Sequence, residues 1–417
     1  MMKLRYLGIL CTGLLLGATG CGSDGQDAGG GANTEDEERT VEMFSWWISP
    51  GEAEALQALV DVHREAHPLD GVINAAADSG SDARARLAER LDDGNPPDLF
   101  QQNAHDIPGF LEMRPNAIEP LNDLLAENDL EGVIDPAVLE AVTIDGNVYA
   151  MPVNVHRENA LFYNKQIFED HDLEPPTTIA EFLTVCEALK AEGVTPVATG
   201  YQGWILRIMF NSLAMGSMGA ESFQAFMTGG ARDDAKLHEA IDLFSNVLTN
   251  YINSNAGDAE FGWTNAAQEV ADGNAAMFFH GDWAKGYYVQ LGLTPGVDFG
   301  VVGAPGASDV FWYGVDTFSL PTGAPTPAAA RDFLLTVASP AGQVAFNNLK
   351  GSTPVRMDID KDDLDSEGRA TLADFENASV KMRVVGKNVW DDAMLTFAQD
   401  GDEDALFQVY VANPPVE

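Results

Sequence analysis

Residues 43–56 read MFSWWISPGEAEAL. An apolar strand here ends in two tryptophans and turns at once into a helix. Neighbouring side chains on a strand point to opposite faces, so only one of Trp46 and Trp47 can enter a given core. The other faces something else. Ser49, Pro50 and Glu52 form a helix-start signal, with Pro in the first turn and Ser49-x-x-Glu52 as a capping box. A strand that leads straight into a helix N-terminus is the unit of an α/β sheet. An aromatic pair at that junction also suits a sugar ring, whose apolar face stacks on indole while carboxylates take its hydroxyl protons. The competing reading makes one Trp core, the other partly exposed, and Glu52 only a cap.

The same alternation runs along the chain. Val41–Trp46, Val72–Ala77 and Asp98–Gln102 read as strands, and Gly51–Ala66 and Ser81–Leu91 as helices. Leu56, Leu59, Val60 and His63 share one helical face. Thr178 caps a helix to Glu192, with Glu181 closing its capping box and Gly193 ending it; Thr195–Ala198 is the next strand. Ala275–Phe279 is a strand and Asp282–Val289 a helix. Ser339-Pro340 starts another, running to about Asn347. Strand and helix in this rhythm predict parallel sheets flanked by helices. Ligands of such sheets bind beyond the carboxyl ends of strands. Four polar or aromatic clusters fall there: Trp46-Trp47 to Glu52, Gln101-Gln102-Asn103, Trp204, and His280-Gly281-Asp282-Trp283.

The N-terminus gives an address. Lys3 and Arg5 precede an apolar run, Leu7 to Leu16, too short for a mature span and suited to a signal peptide. Gly17-Ala18-Thr19-Gly20-Cys21 resembles a bacterial lipobox, which implies lipid attachment at Cys21 after removal of residues 1–20. Ala18 stands where Leu is usual; ordinary secretion with cleavage nearby is the alternative. Residues 21–39 are rich in Gly, Asp and Glu and form a flexible acidic linker reaching about 20–25 Å. No other apolar stretch is long enough to span a bilayer, so the membrane is met only through the lipid. Of the three cysteines only Cys186 remains beyond the linker, in a helix, so an intramolecular disulfide is not expected.

The chain carries 65 acidic and 23 basic residues, a net charge of −42. Nucleic acid and anionic lipid surfaces are poor partners for it. There is no Gly-rich phosphate loop followed by Lys, and no second His or Cys at metal-ligand spacing around His156. A neutral small molecule is the easier ligand, with neither cofactor nor metal.

Six segments then carry a resemblance: WWISPGEAEAL (46–56), NPPDLFQQNA (95–104), DGNVYAMPVNVHRENALFYNK (145–165), GNAAMFFHGDWAKGYY (273–288), WYGVDTFSLP (312–321) and KGSTPVR (350–356). In this order, over some 310 residues, the chain resembles the family 1 extracellular solute-binding proteins of bacterial ABC sugar importers. The pair WW-x-x-x-x-Glu with GDWAKG looks most like glucose or aldohexose binders. The resemblance implies an α/β, two-lobed periplasmic-binding-protein fold, each lobe a mostly parallel sheet flanked by helices, joined by interlobe crossing strands. Lobe 1 would be 41–154 plus 316–360, and lobe 2 would be 155–315 plus 361–417.

Carried over by motif, Trp46 or Trp47 would stack on the sugar and Trp204 would close the other side. Glu52 and Asp282 would accept hydroxyl protons through charge-assisted bonds. Lys285, one turn from Asp282, would donate. Gln101 matches the family's polar residue after the third strand. Asn103 stands where His or Lys is expected, and Lys387 near the place of a late His; both departures bear on which sugar is read. Each has a plainer reading: Glu52 and Asp282 as helix caps, Lys285 as a solvated charge, Trp204 as core. Trp263 is read as packing, and His156 and Arg157 as interlobe hydrogen-bonding groups.

These readings describe a monomeric, lipid-anchored, periplasmic or extracytoplasmic binder, not an enzyme, delivering a monosaccharide to a membrane permease. A xylose-type sugar or short oligosaccharide is the alternative, Trp204, Trp263 and Trp312 being the aromatics such a cleft would use. A glycosidase built on Glu52 and Asp282 is more remote, for neither lies in a catalytic motif.

The acid excess gives a first prediction. Self-repulsion of so many carboxylates is screened by salt. The melting temperature of residues 40–417 is expected to rise from low to molar salt. A flat curve would show that the charge has no such role.

Overall fold

The computed structural model describes residues 39–75, 80–385 and 388–413. The leader, Cys21, the linker up to residue 38 and Lys387 lie outside these residues. Arg39, assigned to the linker by its sequence, is instead gripped by Asp70 at 2.7 Å and Asp332 at 2.9 Å.

In chain order the strands are β1 (Thr40–Phe44), β2 (Gly71–Asn74), β3 (Leu99–Asn103), β4 (Thr143–Ile144), β5 (Asn147–Val148), β6 (Met151–Pro152), β7 (His156–Arg157), β8 (Ala160–Asn164), β9 (Thr195–Ala198), β10 (Ala275–His280), β11 (Phe299–Gly303), β12 (Val310–Gly314), β13 (Asp316–Ser319) and β14 (Val380–Arg383). One sheet has the order β2-β1-β3-β13-β6, a second β11-β8-β10-β9, and a third β14-β12-β7. The expected parallel pairing holds for β2-β1-β3 and for β10-β9. The strands next to a crossing, β13 and β8, join antiparallel. They arrive from the other sheet system rather than over a crossover helix, so nothing forces them parallel.

Each large sheet has its own core. Val41, Met43, Leu56, Leu59, Leu99, Phe318, Phe333 and Phe346 fill the first. Leu161, Phe182, Leu213, Phe244, Met277 and Trp390 fill the second. The chain leaves the first sheet after Pro152 and returns to it at Asp316. Strand β12, just before that return, serves both cores. Its period of two sends Val310 and Trp312 into one cluster and Phe311 and Tyr313 into the other. Trp312 is fully buried, so it is not a cleft aromatic.

The opening junction folds largely as its residues dictate. Trp47 is buried against Phe318 and Phe346, with ring centroids 5.5 and 5.0 Å away. Trp46 points the other way, half-buried, with the Arg84 guanidinium over its ring. The helix Glu52–Ala66 starts two residues later than the Ser49 capping box predicts. Its N-cap is Gly51, at φ +88°, and Glu54 accepts from the Gly51 N–H at 2.6 Å. Only glycine suits that position, because φ is positive and a Cβ would collide with the Gly286 backbone. Glu52 is thereby released from capping. At Thr178 the predicted capping box with Glu181 is formed, and Cys186 is a buried free thiol.

The two tryptophans should therefore separate by experiment. Trp47→Ala is expected to cost about 3–5 kcal/mol of unfolding free energy, as for large buried aromatics. Trp46→Ala should cost clearly less. Chemical denaturation of both variants checks this; equal losses would contradict the assignment of faces.

Candidate functional site

The crossing segment Val153–Arg157 carries a buried polar group bonded to residues from two other segments. His156 is buried, with Nδ1 donating to Asp282 and Nε2 to Asp316 Oδ2 at 3.0 Å. Asn154 Nδ2 donates to the same Asp316 oxygen at 3.2 Å, and the Asp316 N–H returns a bond to Asn154 Oδ1 at 3.1 Å. Asp282 is latched to β7 again through its other oxygen, which accepts the Arg157 N–H at 2.7 Å. Burial alone would lower the His156 pKa. The two carboxylates outweigh it and raise the imidazole to about 9. Burial would raise Asp316, and the His156 bond holds it below the usual carboxylate range. The expected Asp282 N-cap role is not what its carboxylate does: the following helix begins at Ala284, and no side chain caps it.

A second buried pair lies beside this one. Lys350 Nζ bonds Glu52 Oε1 at 2.7 Å, with both side chains almost wholly covered. The same ammonium stands 5.7 Å from the Trp47 ring and 5.7 Å from the Trp283 ring. Trp283 is half-buried and meets His156 edge-on at 5.0 Å. Behind it are Trp204, 6.2 Å away, and His280, 4.7 Å away. Trp263 stacks on His280 and packs on Tyr287, the packing role read from its sequence. Burial pushes His280 down to about 3, so it is a neutral ring in an aromatic wall.

The opposite wall comes from β3. Gln101 and Asn103 share a face of that strand, and Asn103 pairs in register with Asp316. Gln101 Oε1 accepts the Trp46 N–H at 3.2 Å, while its Nε2 is buried without a partner. Asn103 is half-buried. Two residues on, His105 lies within electrostatic reach of Arg207 and Asp316, and burial lowers its pKa.

Of the predicted residues, then, Trp47, Glu52, Trp204 and Asp282 gather around Lys350, His156 and Trp283, and Trp46, Gln101 and Asn103 line the β3 side. Lys285 does not join them. It is buried in an ion pair with Asp365, at 2.5 Å, and has no free donor role. Helical spacing placed it one turn from Asp282, but the segment 351–365 covers that face. Sequence reasoning missed Lys350, Asp316 and His105, and named Trp283 only within its cluster, without a role. Lys350 and Asp316 open or lie within quoted motifs, and His105 stands two positions after Asn103. Among the described residues no group of three or more potential metal ligands occurs.

Comparison with known proteins places this architecture. The model of the bacterial extracellular solute-binding proteins matches residues 49–344, and the chain belongs to that family. An uncharacterized ABC transporter extracellular-binding protein of Pyrococcus horikoshii is 29% identical over 395 residues, covering 92% of this chain and 86% of its own. A probable sugar-binding periplasmic protein of Brucella melitensis is 30% identical over 354 residues, covering 84% and 83%. In structure, the bacterial solute receptor AcbH, described as having an exclusive preference for β-D-galactopyranose, superposes with a TM-score of 0.78. It is 16% identical and covers 90% of this chain and 97% of its own. Among the described residues no helix is long and apolar enough to cross a membrane.

The His156 relay has a signed consequence. Its folded pKa is raised above the unfolded value near 6.5. The stabilisation is complete below that value and lost as pH climbs through about 9. Unfolding free energy is expected to fall between pH 6.5 and 9, and the fall should be shallower in His156→Gln. Identical slopes in parent and variant would contradict a charged His156.

Proposed function

We propose that the chain captures one monosaccharide, glucose or a similar aldohexose, between its two sheet systems and hands it to an ABC permease. The observation that carries this is the company of half-buried indoles, Trp46, Trp204 and Trp283, with carboxylates Glu52, Asp282 and Asp316 around one crossing. Indole faces stack on pyranose C–H groups. Ionised carboxylates accept hydroxyl protons through bonds stronger than neutral ones. Gln101, with an unspent buried N–H, adds a donor. The sugar-binding relative and the galactopyranose receptor support the ligand class. About 8 kcal/mol of net binding free energy corresponds to ~1 µM affinity.

We set the lobe limits at the crossings: 41–154 plus 316–360, and 155–315 plus 361–417. Ligand contacts to both lobes shift the population toward the closed form, which docks on the permease. Attachment through Cys21 would hold the monomer near its membrane and raise its local concentration there.

A second reading rests on one observation. A depression of about 520 Å³ is bordered by Tyr201, Gln202, Phe261, Gly262 and Gln399, on the turns that lead into Trp204 and Trp263. It would take further units of a short oligosaccharide.

Calorimetric titration of residues 40–417, unfolded and refolded to strip bound ligand, with glucose, galactose, mannose, xylose and maltose tests both. One-to-one binding of an aldohexose that Asp282→Ala weakens about 10–100-fold is expected, since that change removes a charge-assisted bond. Heat with maltose alone would favour the second reading, and silence with all five would overturn both.

A further inference from the structure

Glu158 follows the crossing strand β7 directly. Its N–H donates to Trp312 O at 2.8 Å, which pins it beside β12. Its carboxyl occupies the space above Gly314, where a Cβ would stand 2.9 Å from Glu158 Oε1. The residue is half-buried, and no hydrogen bond or ion pair among the described residues engages the carboxylate. The other carboxylates at this crossing each already hold a charged partner: Asp282 and Asp316 share His156, and Glu52 holds Lys350.

The nearest charges come from four different segments: Arg207 of the helix Gly203–Met218, His156 of β7, Asp316 of β13, and Asp282 after β10. Arg207 is itself held by Asp391, Nε to Oδ1 at 2.6 Å, and keeps a buried Nη1 without a partner. A half-buried carboxylate with open acceptor sites, in the electrostatic field of a guanidinium that has an unspent N–H, can take a hydroxyl proton.

Resting on the sugar-binding reading above, we propose that Glu158 is a specificity-determining residue that accepts a hydroxyl proton of the captured sugar, with Arg207 positioned to keep the carboxylate charged.

A pH dependence follows. Burial raises Glu158 to about 7, with Arg207 and His156 opposing and Asp316 and Asp282 adding. The other groups whose shifts are known stay out of that range. His156 remains charged up to about 9, Asp316 is held low, and burial pushes His105, which faces Arg207, below the usual histidine range. Sugar bound by the ionised form should release a proton near neutrality and weaken in acid.

The test is calorimetry of parent and Glu158→Gln with the best-bound of the five sugars and its monodeoxy analogues, at pH 5.5, 7 and 8.5. The parent is expected to lose about tenfold or more in affinity from pH 8.5 to 5.5. Glu158→Gln should bind about 10–100-fold more weakly at pH 8.5, the size of a lost charge-assisted bond, with a flatter profile. One deoxy analogue should bind parent and variant alike, which a merely structural role would not produce. Parent affinity, profile and analogue ranking retained in the variant would overturn the proposal while leaving the sugar reading intact. Absence of binding by the parent to any sugar at any pH would overturn both. If the variant does not fold, proton release by the parent, measured in two buffers of different ionisation enthalpy, decides: near zero between pH 6 and 8 overturns the proposal.

Discussion

A charged imidazole held between two carboxylates fixes the centre of this molecule. His156 sits on the segment that leaves the first sheet; Asp316 lies where the chain returns to it, and Asp282 follows β10 of the second sheet. Removing either carboxylate would strand a buried charge, a change that commonly costs about 3–5 kcal/mol. Three segments distant in sequence are thus bound to one ring. The Arg157 N–H to Asp282 and the Asn154 amide to Asp316 add one further bond to each carboxylate. Trp283, the residue after Asp282, takes its position against the edge of that ring.

The surroundings of this relay look unlike the rest of the chain. A protein with a net charge of −42 has a near-balanced interior at the crossing, where Lys350, His156 and Arg207 answer Glu52, Asp282, Asp316 and Asp391. Buried carboxylates need such partners, and surface ones do not. The acid excess therefore belongs to the exterior. Lys350 does two tasks, neutralising Glu52 and bridging the indoles of Trp47 and Trp283. Trp47 thus supports the site from the core side, and Trp46 and Trp283 present faces from the other.

Much of this was legible in the sequence. Trp46 and Trp47 do face opposite ways, although β1 ends at Phe44 and not at Trp46 as read, and motif order gave the family over most of the chain. The capping box at Thr178 formed as read. The failures have local causes. The first helix took Gly51 as its cap because close approach to Gly286 demands glycine there, which freed Glu52 for Lys350. Those partners lie 298 residues apart, and no local pattern announces a pair of that kind. Lys285 stood at the right helical spacing and the wrong side of a covering segment, where Asp365 takes it. His156 was read as an interlobe bonding group, and its two partners sit in motifs that gave no hint of convergence.

The most direct test of the account is a crystal structure of the refolded protein with its best-bound sugar. The account predicts a single pyranose against Trp283 and Trp204, with hydroxyls on Asp282 and Glu158 and the His156 relay intact beneath it. A sugar seated only in the depression beside Tyr201 and Phe261, with the crossing unoccupied, would contradict it.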